Sequence, residues 1–150
     1  MNTLIATQSI EIDASLARVW ETLIEPDLTE KYMFGCRVKA SWKIGELVEW
    51  RGTYQGETRL FVTGRLVTFE PESKLVYTTF DPQGKYADLP ENYTTQTCVL
   101  TATAKGTRLE MSQGDFAKLP DGKERYASHL NDDGAFLKQL KAVAEQHTAP

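Results

Sequence analysis

Apolar and polar residues alternate with a period of two through most of the middle of the chain, and recur at spacings of three and four near its two ends. The first pattern puts successive side chains on opposite faces of a strand, and the second gathers them on one face of a helix. In the segment from Thr3 to Asp13, Ile10 and Ile12 share a face opposite Ser9 and Glu11, which predicts a half-buried first strand. Ser15 then offers a hydroxyl to cap a helix start, and Leu16, Val19, Trp20, Leu23 and Ile24 make its apolar face. Pro26 ends that helix, because the residue before a proline is pushed out of the helical region. Asp27 to Met33 is predicted as a second short helical piece, closed at Gly35.

Strands follow, divided by turn residues. One centres on Val38, and a second places Val48 and Trp50 on a common face. Tyr54-Gln55-Gly56-Glu57 reads as a hairpin turn into Thr58 to Phe69. Pro71-Glu72-Ser73 separates this from Lys74 to Phe80, and Asp81-Pro82-Gln83-Gly84 is a further turn. Tyr93 to Thr103 pairs through Lys105-Gly106 with Thr107 to Asp115, where Leu109 and Met111 alternate with Arg108, Glu110 and Ser112. A sheet wet on one face and apolar on the other is normally antiparallel, and the apolar face needs a cover.

The longest uninterrupted helical pattern, Asp121 to Gln146, supplies that cover as a single predicted helix of roughly six or seven turns. Tyr126, Leu130, Leu137, Leu140 and Ala144 form its stripe, widened by Phe136 and Val143, with Lys138, Lys141 and Glu145 opposite. Asp133 and Gly134 fall where the stripe should point inward. A carboxylate there must meet a donor, keep water or rotate to the rim, since a buried unpaired charge costs several kcal/mol.

The chain of 150 residues matches one domain, 1–150, able to bury roughly 70% of its unfolded surface without a metal or disulfide. A net charge of −4 and a pI near 5.2 argue against nucleic-acid partners and anionic membranes. No stretch approaches a membrane span and the N-terminus lacks a basic region followed by an apolar run, so a soluble, cytoplasmic protein is expected, with Cys36 and Cys98 as packing thiols. His129 and His147 have no neighbouring ligands at metal-binding spacing, and no phosphate loop or nucleophile elbow is present, so neither metal nor cofactor is expected and no catalytic residue is assigned.

The aromatic residues of the strands suit either a core or the wall of a small-molecule pocket. The candidate ligand-binding residues are Trp50, Tyr54, Phe61, Tyr77, Met111, Gln113, Tyr126, His129, Asp133 and Leu137. Asp133 is also the natural general base for an aldol-type cyclisation, because burial raises a carboxylate pKa.

Several segments together resemble the START-like (SRPBCC) superfamily. They are Ile10-Glu11-Ile12-Asp13-Ala14-Ser15 with Arg18-Val19-Trp20-Glu21-Thr22-Leu23, Lys31-Tyr32-Met33-Phe34-Gly35, Ser41-Trp42-Lys43-Ile44-Gly45 with Val48-Glu49-Trp50-Arg51-Gly52, Gly106-Thr107-Arg108-Leu109, and Leu137-Lys138-Gln139-Leu140-Lys141. The branch they resemble is the one named for the activator of the heat-shock-chaperone ATPase. The resemblance implies an α+β helix-grip fold: a curved antiparallel sheet of about seven strands around a long C-terminal helix, with two short helices after strand one. It also implies a largely hydrophobic pocket. Many relatives carry a tryptophan where this chain has Asp133.

Three functions are compatible with these expectations. The first is binding of a hydrophobic or amphipathic small molecule between sheet and helix. The second is a cyclase- or hydrolase-type enzyme in the same pocket, using Asp133 with Tyr77 or His129. The third is a co-chaperone-like interaction domain; the chaperone activator is a longer, two-domain protein, so the resemblance does not carry chaperone activation over. Oligomeric state and ligand identity are open.

Overall fold

The computed structural model describes residues 3–130 and 134–146, except the side chain of Tyr54. Asp133 and His147 lie outside the described residues. Strand β1 (Ala6–Ile12) leads into helix α1 (Leu16–Ile24), whose Ser15 hydroxyl accepts from the Arg18 N–H at 3.1 Å. Glu25 is extended before Pro26, which occupies the first turn of α2 (Pro26–Tyr32). The predicted strand, cap, helix and proline stop are therefore all present, with β1 shorter at its start than expected.

Six more strands follow: β2 (Arg37–Ala40), β3 (Leu47–Tyr54), β4 (Glu57–Glu70), β5 (Lys74–Thr79), β6 (Thr94–Ala102) and β7 (Thr107–Gly114). They form one antiparallel sheet in the order β1-β7-β6-β5-β4-β3-β2, so the first strand returns to pair with the last. Curvature is concentrated at β4. Its register slips between Leu66 and Thr68 against β5, and β3 slips against it between Trp50 and Arg51. Gly64 lies in this bend; a Cβ there would stand 1.7 Å from the Thr78 carbonyl oxygen, so only a residue without one lets the strands approach this closely.

The C-terminal cover is divided. Helix α3 (Gly122–Leu130) and helix α4 (Ala135–Glu145) replace the single helix expected over Asp121 to Gln146, and Gly134, with φ of 74°, stands at the α4 N-cap in the left-handed region. That conformation ends one helical direction before α4 begins. Leu140 and Ala144 are fully buried and Leu137 and Val143 nearly so, whereas Leu130 is 38% exposed and drops out of the stripe. Helix α4 packs with α1, α2 and β1 over a core that includes Ile12, Val19, Leu75, Cys98 and Leu109. Beneath α3 lies a smaller cluster of Ala6, Phe116 and Leu119, with Leu4 and Tyr126 against it.

Candidate functional site

The inward positions of four adjacent strands change character along their length. Toward α1 and α4 they are apolar: Leu75, Leu100, Leu109 and Ile12 are all buried. Toward the other end they become Tyr77 and Thr79 on β5, Gln96 and Thr94 on β6, Gln113 on β7 and Gln8 on β1. Register aligns them, because Tyr77 pairs with Gln96, Gln96 with Gln113, and Thr79 with Thr94.

Here the interior is not filled. A cavity of about 490 Å³ lies between this part of the sheet and the helices. Trp50, Phe61 and Met111 line it from the sheet, and Phe136 and Leu137 from α4. Trp50 and Tyr77 pack with ring centroids 4.8 Å apart, and Tyr32 meets Phe136 edge-on at 5.5 Å, which holds the aromatic walls in place.

Three polar side chains of the wall, Thr79, Thr94 and Gln113, are bonded to one another. The hydroxyls of Thr79 and Thr94 lie 2.7 Å apart, and Gln113 Nε2 donates to Thr94 Oγ1 at 3.0 Å. Burial pushes the Cys98 thiol up to about 12, partly offset by hydrogen bonds with Gln96 and Tyr77. Burial likewise raises the Tyr77 hydroxyl well above the usual tyrosine range, with the neighbouring Cys98 adding to it. Both groups are therefore neutral at neutral pH, and neither is an activated nucleophile or base.

At the mouth stand Phe34, Asp81, Phe116, Arg125 and His129, which also line a wider outer basin with Lys85, Tyr86 and Asp121. Phe34 is 86% exposed on the turn after α2. The Arg125 guanidinium lies over the Tyr86 ring, 4.5 Å from its centroid, and the Tyr86 hydroxyl donates to Asp121 at 2.6 Å. That bond, with Lys85 close by, holds the Asp121 carboxyl below its usual range. Among the described residues, no group of three or more His, Cys, Asp or Glu side chains is arranged to hold a metal ion.

Seven of the residues singled out from sequence, namely Trp50, Phe61, Tyr77, Met111, Gln113, His129 and Leu137, line this one cavity. Tyr126 is placed differently from expectation. It packs on Phe116, ring centroids 6.1 Å apart, in the small cluster under α3, because the break at Gly134 separates its helix from α4. Asp133 and the Tyr54 side chain lie outside the described residues. Gln8, Thr79, Thr94, Gln96, Phe34 and Arg125 are wall residues that the sequence reading missed. The polar run Thr94-Thr95-Gln96-Thr97 at the start of β6 was the available signal, but it reads equally as a solvent-facing segment.

Residues 13–145 match the family model described as Activator of Hsp90 ATPase homolog 1-like protein. The chain belongs to this family. A solution structure of a Cytophaga hutchinsonii protein is 32% identical, with 97% of each chain covered and a TM-score of 0.78. A crystal structure from Mesorhizobium loti is 20% identical over 97% of this chain and 99% of that one, with a TM-score of 0.73. The solution structure of the Aha1 dimer from Colwellia psychrerythraea is 14% identical over 97% and 98%, with a TM-score of 0.71. The last two show the shared fold alone. No curated protein matches the chain. The START-like, helix-grip architecture expected from the sequence is thus the family's own, and no helix among the described residues is long and apolar enough to cross a membrane.

Proposed function

We propose that this protein binds a hydrophobic or amphipathic small molecule in the cavity between the sheet and α4, working as a single START-like domain. The observation that carries this reading is the cavity of about 490 Å³, walled chiefly by aromatic and aliphatic side chains in a fold whose remaining core is tightly buried. A space of this size with a few convergent polar groups is the usual form of a small-molecule site. Membership in a family with a ligand-binding fold supports it. The free thiols Cys36 and Cys98 suit a reducing compartment such as the cytoplasm.

The cyclase or hydrolase alternative needs an activated group, and Tyr77 stands in the cavity wall in neutral form, as does the buried Cys98 beside it. Turnover that collapses in Asp133→Asn would support that alternative over simple binding. The co-chaperone alternative draws on fold-level likeness alone.

The deciding experiment is native mass spectrometry of protein purified from its own host, together with titration of the apolar fluorophore N-phenyl-1-naphthylamine. A retained small molecule that competes with the fluorophore is expected. A bare protein mass and no fluorophore binding would remove the proposal.

A further inference from the structure

The hydrogen bonds at the polar end of the cavity do not close on themselves. The Thr79 and Thr94 hydroxyls carry two O–H protons but share one hydrogen bond, at 2.7 Å. Gln113 Nε2 donates to both, at 3.4 and 3.0 Å, so its amide protons are used on oxygens that accept them. One hydroxyl proton is left over. The Gln113 carbonyl oxygen is left over as well, since among the described residues these three side chains have no further partners. No buried side-chain nitrogen or oxygen among the described residues lacks a partner, so Gln113 Oε1 is not sealed in protein and opens on the cavity that Gln113 lines.

An unused donor and an unused acceptor thus stand side by side at the polar end of a largely apolar cavity, where Gln8 and Gln96 also line the wall. In water both are satisfied by solvent. A pure hydrocarbon entering the cavity would displace that solvent and replace neither bond, and a site built this way discriminates against a ligand that lacks the matching polar group. Just beyond, the rings of Trp50 and Tyr77, tilted 43° to each other, provide an aromatic wall. The mouth does not add a strong preference for charge, because Arg125 and Lys85 are set among Asp81, Asp121 and Glu124.

We infer that the Thr79–Thr94–Gln113 network is the specificity element of the cavity, and that it selects a neutral ring-bearing ligand carrying a hydroxyl group, whose oxygen accepts from the threonine pair while its proton goes to Gln113 Oε1. This rests on the cavity being the binding site, as proposed above.

The test uses naphthalene, 2-naphthol and 2-naphthoate as probes on the intact protein, by fluorescence titration at neutral pH. The wild type is expected to bind 2-naphthol about tenfold more tightly than naphthalene, which corresponds to about 1.4 kcal/mol. Gln113→Leu and, separately, Thr94→Val should bring that ratio below about threefold while naphthalene affinity holds or rises, which a general loss of folding would not do. Equal binding of naphthalene and 2-naphthol by the wild type overturns the inference and leaves the cavity proposal standing, as does a preference that survives in both variants. Tightest binding of 2-naphthoate also overturns it, by moving the deciding contact to a cation at the mouth. If none of the three probes binds, the cavity proposal falls and this inference falls with it.

Discussion

The carboxylate of Glu145, at the end of α4, accepts a hydrogen bond at 2.7 Å from the backbone N–H of Asp13, 132 residues earlier. Lys141, one turn before it, bonds both Glu145 and the Glu11 carbonyl, the latter at 3.0 Å. Together they fasten the last helix to the end of the first strand. The bond from Lys141, chiefly, holds the Glu145 carboxyl below its usual range. A depressed carboxylate contributes stability that is present above the unfolded pKa, about 4.3, and lost as pH falls through the lower folded value. Urea unfolding of wild type and Glu145→Gln should therefore differ at pH 7 and converge as pH drops from about 5 towards 3; a gap that persists or widens in acid would contradict the assignment.

Leu140 is fully buried at the centre of the α4 contact. Leu140→Ala should cost about 3 kcal/mol and lower Tm by roughly 10 °C, because it opens a void in a packed region. Leu137, which borders space that is already empty, should cost less when shortened to alanine. The comparison of the two melting curves tests whether the cavity ends where the structure puts it.

A β-carbon at position 64 would collide with the Thr78 backbone, and backbone cannot rotate away as a side chain can. Gly64→Ala should destabilise by about 3 kcal/mol, near the upper end of ordinary overpacking. Calorimetry showing a loss under 1 kcal/mol would mean that the β4–β5 bend relaxes easily.

Met111 is a half-buried wall residue on β7. Replacing it by tryptophan puts added volume into free space, so N-phenyl-1-naphthylamine affinity should fall at least tenfold while Tm moves by only a few degrees. Unchanged affinity would place the fluorophore elsewhere.

Much of this architecture was readable before any coordinates, and the reasons are local. Ser15 and Pro26 act on their own neighbours through a cap and a fixed dihedral, so their effects do not depend on the rest of the molecule. The strands announced themselves through alternation, and the turns through glycine and proline. The break at Gly134 was visible only as a vacancy in the apolar stripe, because Tyr126, Leu130 and Leu137, four and then seven residues apart, keep to one helical face across it. Whether a helix bends or changes direction at such a vacancy is decided by packing, which also exposed Leu130 and put Tyr126 on Phe116. The aromatic side of the cavity was legible because large apolar residues have few other uses. Of its polar side only Gln113 was singled out; Thr79, Thr94 and Gln96 were not, since they are ordinary choices for a wet face, and sequence alternation does not distinguish bulk water from an internal space.

Pairing of β1 with β7 has a consequence for how the molecule is made. Ile12 is in register with Thr107, and the Arg18 guanidinium grips the carbonyls of Val143 and Ala144 at 3.1 Å. On the ribosome, the first strand and helix emerge long before either partner exists, and contacts this distant in sequence are slow to form. The β2–β6 meander can assemble during translation, but the pocket has no completed walls until β7 and α4 have emerged. The proposed ligand therefore enters only after α4 is in place, and β1 waits unpaired until β7 has been made.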